Sequence, residues 1–373
     1  MRVLVLGAGF GGLEATARLS DALGDEADIT LVDHAEGFTF GFSKIDVMFG
    51  DATPDAVVHR YASLTKPGVQ FVQSTVRSID PEDRRVRTDA GDFEADVLIV
   101  ALGADLDAAA TPGLVESGCE FYTRAGAVAA RERLASFPGG NVIVGAASLP
   151  IKCPPAPSEA ALLVHDLLTE RGVRESSSVT LVLPVGRPVP PSPEASATLL
   201  AAFAERGINW IPETSVTSLD AVRRVVGLSD GRELPFDLYL GVPKHCAPPV
   251  VVEAGLTENG WIPVDRHTLQ TRFPDVYAIG DVTSVGTPKA GAFAEGQGAA
   301  VADAIIARHR GNAEHDDYVG TGFCYLRFGD LGLAEVHVSV TSDGTVGHLN
   351  GPSPELLATR TDYTDERIRR WFG

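Results

Sequence analysis

Four cysteines, Cys119, Cys153, Cys246 and Cys324, are the soft nucleophiles of this chain. They lie far apart, and none forms the CxxC pair used by zinc sites and thioredoxin-like redox centres. Cys153 has the most reactive setting. It stands in Ile151-Lys152-Cys153-Pro154-Pro155, just ahead of an expected helix. The attacking species is a thiolate, and a free thiol with a pKa of about 8.5 is mostly protonated at neutral pH. A neighbouring lysine and a helix N-terminus both favour the anion, so Lys152 and that helix are expected to lower the Cys153 pKa. In a cytosolic chain a persistent cysteine pair is more often catalytic than structural. Cys119 and Cys246 lack such surroundings and are expected to be buried, inert thiols.

The elements that position Cys153 begin like a nucleotide-binding turn and then depart from one. Val142-Ile143-Val144-Gly145 reads as a buried strand running into a first glycine, but Ala146-Ala147-Ser148-Leu149-Pro150 follows. Leucine and proline where glycine must stand block close approach of a pyrophosphate, so no nicotinamide dinucleotide is expected here. An intact version opens the chain. The strand Arg2-Val3-Leu4-Val5-Leu6 leads into Gly7-Ala8-Gly9-Phe10-Gly11-Gly12 and a helical run from Leu13. Gly7 permits the tight turn, Gly9 the approach of the backbone to a pyrophosphate, and Gly12 close packing of helix on strand. A second strand ends at Asp33, about 20 residues on, where a carboxylate grips a ribose hydroxyl.

Two later stretches extend this nucleotide unit. Ala95–Val100 is a buried strand ending at Ala101-Leu102-Gly103, and Val276–Ile279 ends at Gly280-Asp281 ahead of a Gly/Ala-rich helix, 290–307. The chain also repeats itself loosely: Ser74–Asp80 leads to Val86, Gly91 and Asp96 much as Thr214–Asp220 leads to Val226, Gly231 and Asp237. Each copy reads as a small β-meander returning to a parallel strand. The fold class is therefore α/β, with two Rossmann-like units, the second inserted in the first, and a small C-terminal α+β segment. The expected boundaries are 1–115 and 250–312 for the first unit, 116–249 for the inserted unit and 313–373 for the C-terminal segment.

Taken in order, these motifs resemble the two-dinucleotide-domain flavoproteins of the glutathione-reductase superfamily. The resemblance implies non-covalent FAD, since the loop Phe40-Gly41-Phe42-Ser43 has no cysteine to attach it. Gly7, Gly9, Gly12, Asp33, Val76, Ala101, Gly103, Gly280 and Asp281 are the implied cofactor residues. Within that superfamily Lys152-Cys153-Pro154-Pro155-Ala156-Pro157-Ser158-Glu159 resembles the active-site segment of sulfide:quinone oxidoreductases and flavocytochrome c sulfide dehydrogenases. Gly322-Phe323-Cys324-Tyr325 resembles the second redox cysteine of that family, and Pro288-Lys289-Ala290-Gly291 the segment whose lysine faces the flavin. The resemblance implies a Cys153–Cys324 redox pair. Hydrosulfide opens it, sulfane sulfur stays on Cys153, Cys324 attacks the flavin at C4a, and Glu159 serves as acid/base. Read from position alone, Glu159 is equally a first-turn carboxylate at a helix N-terminus.

The pattern also departs from that family. Thr123–Ala127 and Pro184–Pro193 lack the histidines that relatives carry there, and the place of a third cysteine falls near Tyr122. The acceptor thus stays open between a quinone and a small redox protein. A soluble flavin-disulfide enzyme acting on persulfide or another thiol, and a flavin sensor without turnover, remain alternatives.

The bulk numbers limit partners. A chain of 373 residues is long enough for two cores, and a formal charge of −19 argues against nucleic acid and against broad adhesion to anionic lipid. No signal peptide or membrane-spanning run is apparent, so a cytoplasmic protein is expected, with a peripheral station on the inner face of the membrane left open. At the C-terminus Arg367, Arg369, Arg370, Trp371 and Phe372 either touch lipid headgroups or pack on the protein's own domain. A homodimer is one admissible assembly.

Overall fold

The computed structural model describes residues 1–311 and 317–373. Two five-stranded parallel sheets carry the chain, built alike except at one edge, where the outer strand comes last in the first unit and first in the second. In the first, Arg2–Leu6 is the middle strand, with Asp28–Asp33 and Val69–Gln73 on one side and Val97–Val100 and Val276–Ala278 on the other. In the second, Asn141–Ala146 is the middle strand. Ser178–Val182 and Ile208–Ile211 lie to one side of it, and Leu238–Val242 and Cys119–Glu120 to the other. Strands covered on both faces need apolar residues throughout rather than alternation. Val97–Val100 and Leu238–Val242 meet that demand, with every residue buried.

The middle strand is where the strand order reverses, and such a sheet opens a crevice beyond the carboxyl ends of its strands. Gly7, Asp33, Ala101 and Gly280 are distant in sequence, yet all stand at or just beyond the carboxyl ends of strands in the first sheet. Topology alone gathers them.

Each sheet carries a three-stranded antiparallel meander, Val76–Asp80 with Arg85–Thr88 and Gly91–Glu94, and Val216–Asp220 with Val225–Leu228 and Glu233–Pro235. The repeat extends to an irregularity: the register shifts between Val76 and Ser78 in one and between Val216 and Ser218 in the other. Asp105–Asp107 pairs antiparallel with Lys244–Cys246, so the segments leaving and re-entering the first unit form one ribbon. The expected boundary at 312/313 lies outside the described residues.

The C-terminal segment adds an antiparallel sheet, Gly320–Arg327, Leu333–Thr341 and Gly344–Ser353, in which Cys324 stands opposite Val336. The last helix, Leu356–Phe372, packs back on the first unit. Trp371 is buried among Phe10, Phe38 and Phe40, with ring centroids 5.4–6.1 Å apart. Its Nε1 donates to Glu14 at 2.9 Å, and Arg370 and Arg18 donate to the same carboxylate at 2.8 Å. Burial would raise the Glu14 pKa, but these hydrogen bonds hold it below the usual carboxylate value. Trp371 and Phe372 therefore pack on the protein itself. Among the described residues, no helix is long and apolar enough to cross a membrane.

Candidate active site

A pocket of about 320 Å³ opens beyond the carboxyl ends of the first sheet. Gly9, Asp33, Ala101, Gly103, Gly280, Asp281, Lys289, Lys152, Cys153 and Glu159 all line it. Gly7 and Gly12 shape the turn from behind. A Cβ on Gly7, at φ +97°, would lie 2.3 Å from the Ala101 carbonyl, and one on Gly12 only 1.9 Å from the carbonyl of Gly7. At Gly9 nothing lies within 4 Å of such an atom, so the turn leaves open room on its pocket side. The Asp33 carboxylate accepts from the Ala8 and Ala35 amides at 2.7 and 2.8 Å. Tyr61, another wall residue, donates its hydroxyl to the Ala8 carbonyl at 2.7 Å. The open cradle at a helix N-terminus and the strand-end carboxylate fit a dinucleotide. Val76 does not belong to this wall; it opens the first strand of the first meander.

The cysteine loop docks on the first unit through its backbone. The Cys153 amide donates to the Lys289 carbonyl at 2.8 Å, and Lys152 forms a parallel bridge with Lys289. Cys153 adopts φ +45°, a left-handed conformation that costs a non-glycine residue energy and tends to cluster at functional sites. The helix Ala156–Glu170 starts immediately afterwards, with Pro155 as its cap and the Ala156 amide bonded to the Cys153 carbonyl at 2.9 Å. From the far end of the chain, Cys324 comes close enough to Cys153 for its thiol to act on that of Cys153. The two face different spaces. Cys153 lines the dinucleotide pocket, whereas Cys324 lines a second, apolar cavity.

The electrostatics differ from the expectation at one point. The Cys153 thiol is pushed well up, by the Cys324 thiol beside it and by burial, not down. Lys152 does not offset this, because its ammonium is turned to the Ala104 carbonyl at 2.8 Å. The cation that favours the Cys153 thiolate is Lys44, a pocket residue that the sequence reading missed. Burial brings Lys44 down to about 8, and its Nζ donates to the Tyr122 carbonyl at 2.8 Å. Lys289 is likewise brought down to about 8 by burial. Its ammonium donates to the Asp281 and Thr283 carbonyls and lies 3.5 Å from the Trp261 ring centroid. Burial raises Asp281, against the pull of Lys152, Lys289 and Lys44.

Glu159 is almost fully buried, and burial pushes its pKa up to about 7. Arg327, three residues beyond Cys324, donates Nε to it at 3.3 Å and also reaches Asp51 at 2.5 Å and Asp46 at 3.4 Å. Arg327 was missed as well, since nothing in its local sequence marks it. Tyr122 lines the pocket with a buried hydroxyl that has no partner among the described residues, a donor available to a bound group. Cys119 is buried in a strand of the second sheet and Cys246 half-buried in the crossover ribbon, both thiols raised by burial.

Comparison with known proteins fits this arrangement. Residues 1–300 match the family model for pyridine nucleotide-disulphide oxidoreductases. The mitochondrial sulfide:quinone oxidoreductase of Mus musculus is 28% identical over 306 residues, covering 78% of this chain and 67% of that protein. The sulfide-quinone reductase of Aquifex aeolicus is 27% identical over 354 residues, covering 88% and 81%. The crystal structure of the Aquifex aeolicus sulfide:quinone oxidoreductase superposes with a TM-score of 0.84 at 22% identity, over 99% of this chain and 92% of that one. With the family model spanning both glycine turns and the cysteine loop that follows the second, this chain belongs to the pyridine nucleotide-disulphide oxidoreductase family.

Proposed function

We propose that this protein is an FAD-dependent oxidoreductase that oxidises sulfide to sulfane sulfur through Cys153 and Cys324 and passes the electrons to a quinone. One observation carries the reading: Cys153, on the wall of a dinucleotide pocket and just after a glycine turn interrupted by Leu149-Pro150, stands beside a second thiol, Cys324. The sulfide:quinone oxidoreductases of mouse and Aquifex support it. Residues 116–249 are read as the inserted, degenerate unit, given over to sulfur chemistry.

The first pocket fits FAD. Gly9 leaves room for the pyrophosphate, Asp33 suits a ribose hydroxyl, Asp281 a hydroxyl of the ribityl chain, and Lys289 secures the turn beside it. Bound there, FAD supplies two-electron acceptance and delivery to the quinone.

The chain's own groups handle the sulfur. In the oxidised enzyme Cys153 and Cys324 form a disulfide. HS⁻ attacks the Cys324 sulfur, the S–S bond breaks, and Cys153 leaves as a thiolate carrying the electron pair. Sulfane sulfur is then held on Cys324 as a persulfide. This reverses the division of labour implied by the family resemblance, because Cys153 faces the flavin pocket and Cys324 does not. Lys44 stabilises the Cys153 thiolate, and Glu159, poised near neutrality, takes up the proton of incoming sulfide. Because a quinone is lipid-soluble, the enzyme works at the inner face of a membrane as a peripheral protein.

Anaerobic titration of the yellow holoprotein with sulfide tests this. The visible flavin band bleaches in the wild type, fails to bleach in Cys153→Ala and Cys324→Ala, and recovers on adding quinone. Bleaching by NADH but not by sulfide would overturn the reading.

A further inference from the structure

Glu159 lines the pocket that fits FAD and also meets Arg327, whose Nε lies 3.3 Å from its carboxylate. Arg327 belongs to a different space. With Asp51 it lines a groove of about 850 Å³, bordered by the helix Ala156–Glu170 and the C-terminal sheet, and among the described residues the groove shares no lining residue with the FAD pocket. Asp46 and Asp51 meet at one nitrogen, Arg327 Nη1, at 3.4 and 2.5 Å, and Asp46 lies 3.3 Å from Arg360 as well. Exposure rises along this line, from 3% for the Glu159 side chain through 12% for Asp46 to 54% for Asp51. The guanidinium holds the three carboxylates around itself and, staying charged at any working pH, carries no proton of its own.

Five carboxylates line the groove, Asp51, Asp166, Glu170, Glu205 and Asp330, against two arginines and one histidine. A cleft of that sign raises the local concentration of cations, protons included. The apolar cavity beside Cys324 has no carboxylate among its described lining residues.

The proposed reaction needs protons to a degree that changes with pH. Above neutrality HS⁻ + Q + H⁺ gives S⁰ + QH₂, where Q is the quinone, S⁰ the sulfane sulfur, and two electrons pass from sulfur to quinone. One solvent proton enters per turnover. Below neutrality H₂S + Q gives S⁰ + QH₂, and none does.

We infer that the groove is the proton inlet of this enzyme: Asp51 takes protons from solvent and Asp46 hands them to Glu159, which delivers them to the site. The inference rests on the function proposed above and adds two residues to it. Asp46 and Asp51 touch no reacting group and act through Glu159. A proton arriving on Glu159 replaces one passed inward, and Asp51 regains its own from the groove, so no charge accumulates. With a pKa of about 7, Glu159 both gains and loses a proton in the working range. Arg327 and Arg360 favour its anion, Asp46 opposes it, and Cys153 and Tyr122 are the other titratable groups that sense its charge.

The test follows reduction of a soluble quinone by sulfide and holoenzyme at low buffer and constant ionic strength. Asp51→Asn should slow turnover about tenfold near pH 8 and scarcely at all near pH 6. Added imidazole, a small proton carrier, should restore the rate near pH 8 and leave that of the wild type unchanged. Asp51→Glu should keep most of the rate without it, and Asp46→Asn should show the same pH-dependent loss. An Asp51→Asn rate equal to the wild type near pH 8, a loss equally large near pH 6, or a loss that imidazole does not restore would overturn the inference and leave the proposed function standing. If sulfide fails to bleach the wild-type flavin, or quinone fails to restore it, both fall together.

Discussion

Glu159 and Arg327 set the proton chemistry of the site. Burial lifts Glu159 from 4.5 to about 7, and the Arg327 cation beside it pulls the other way. A base works when deprotonated, so the advantage of the wild type over Glu159→Gln in flavin bleaching should appear as pH rises through about 7. The ratio of the two proteins is the readout, because the ionisation of sulfide changes over the same range and cancels in it. Arg327→Ala removes the opposing charge and should move that limb alkaline by roughly one unit, with Arg327→Lys in between. An unmoved limb would place the base elsewhere. The same group predicts stability. Its folded pKa lies above its unfolded one, so between about 4.5 and 7 the folded state holds more protons than the unfolded state, and stability falls as pH rises. Chemical denaturation should show Glu159→Gln equal to the wild type near pH 4 and more stable by up to about 3 kcal/mol near pH 8.

Among the elements, the helix Leu356–Phe372 ties the C-terminal segment to the aromatic side of the cofactor pocket. Trp371 packs on Phe10 and Phe38, which line that pocket, and its N–H helps hold the buried Glu14. Trp371→Ala should cost about 3–5 kcal/mol in thermal or denaturant unfolding and weaken FAD retention in gel filtration. Unchanged FAD affinity would mean that the helix stabilises the fold without shaping the pocket. The elements were also the part most legible in the sequence. Gly7 and Gly12 could be placed because a local steric rule demands them, and the two meanders because each repeats its own pattern. Side chains whose surroundings come from distant segments were not legible. Lys44 acts on Cys153 from a short helix more than a hundred residues earlier, and Arg327 reaches Glu159 from the C-terminal sheet. Lys152, adjacent to Cys153 in sequence, turns instead to Ala104. Val76 shared a strand pattern with real wall residues, but its meander stands outside the pocket.

At the scale of the whole molecule two fields oppose each other. The chain carries a formal charge of −19, which repels an anionic substrate at long range, whereas Lys44, Lys152 and Lys289 converge on the pocket and act within it. Salt separates the two by distance. At physiological ionic strength the Debye length is about 8 Å, so mobile ions screen the repulsion of the outer surface far more than interactions inside a closed pocket. Sulfide enters as HS⁻ above neutrality, so its bleaching rate constant near pH 8 should rise by roughly two- to threefold between low and physiological salt. Neutral H₂S feels neither field, and the rate constant near pH 6 should stay flat. If the rate near pH 8 instead falls with salt, the lysines govern capture from outside the pocket, and Lys44→Met should abolish the dependence. If it rises as expected, Lys44→Met should leave the salt slope intact and slow only the chemical step, because the Lys44 charge then acts on the Cys153 thiolate and not on the approaching ion.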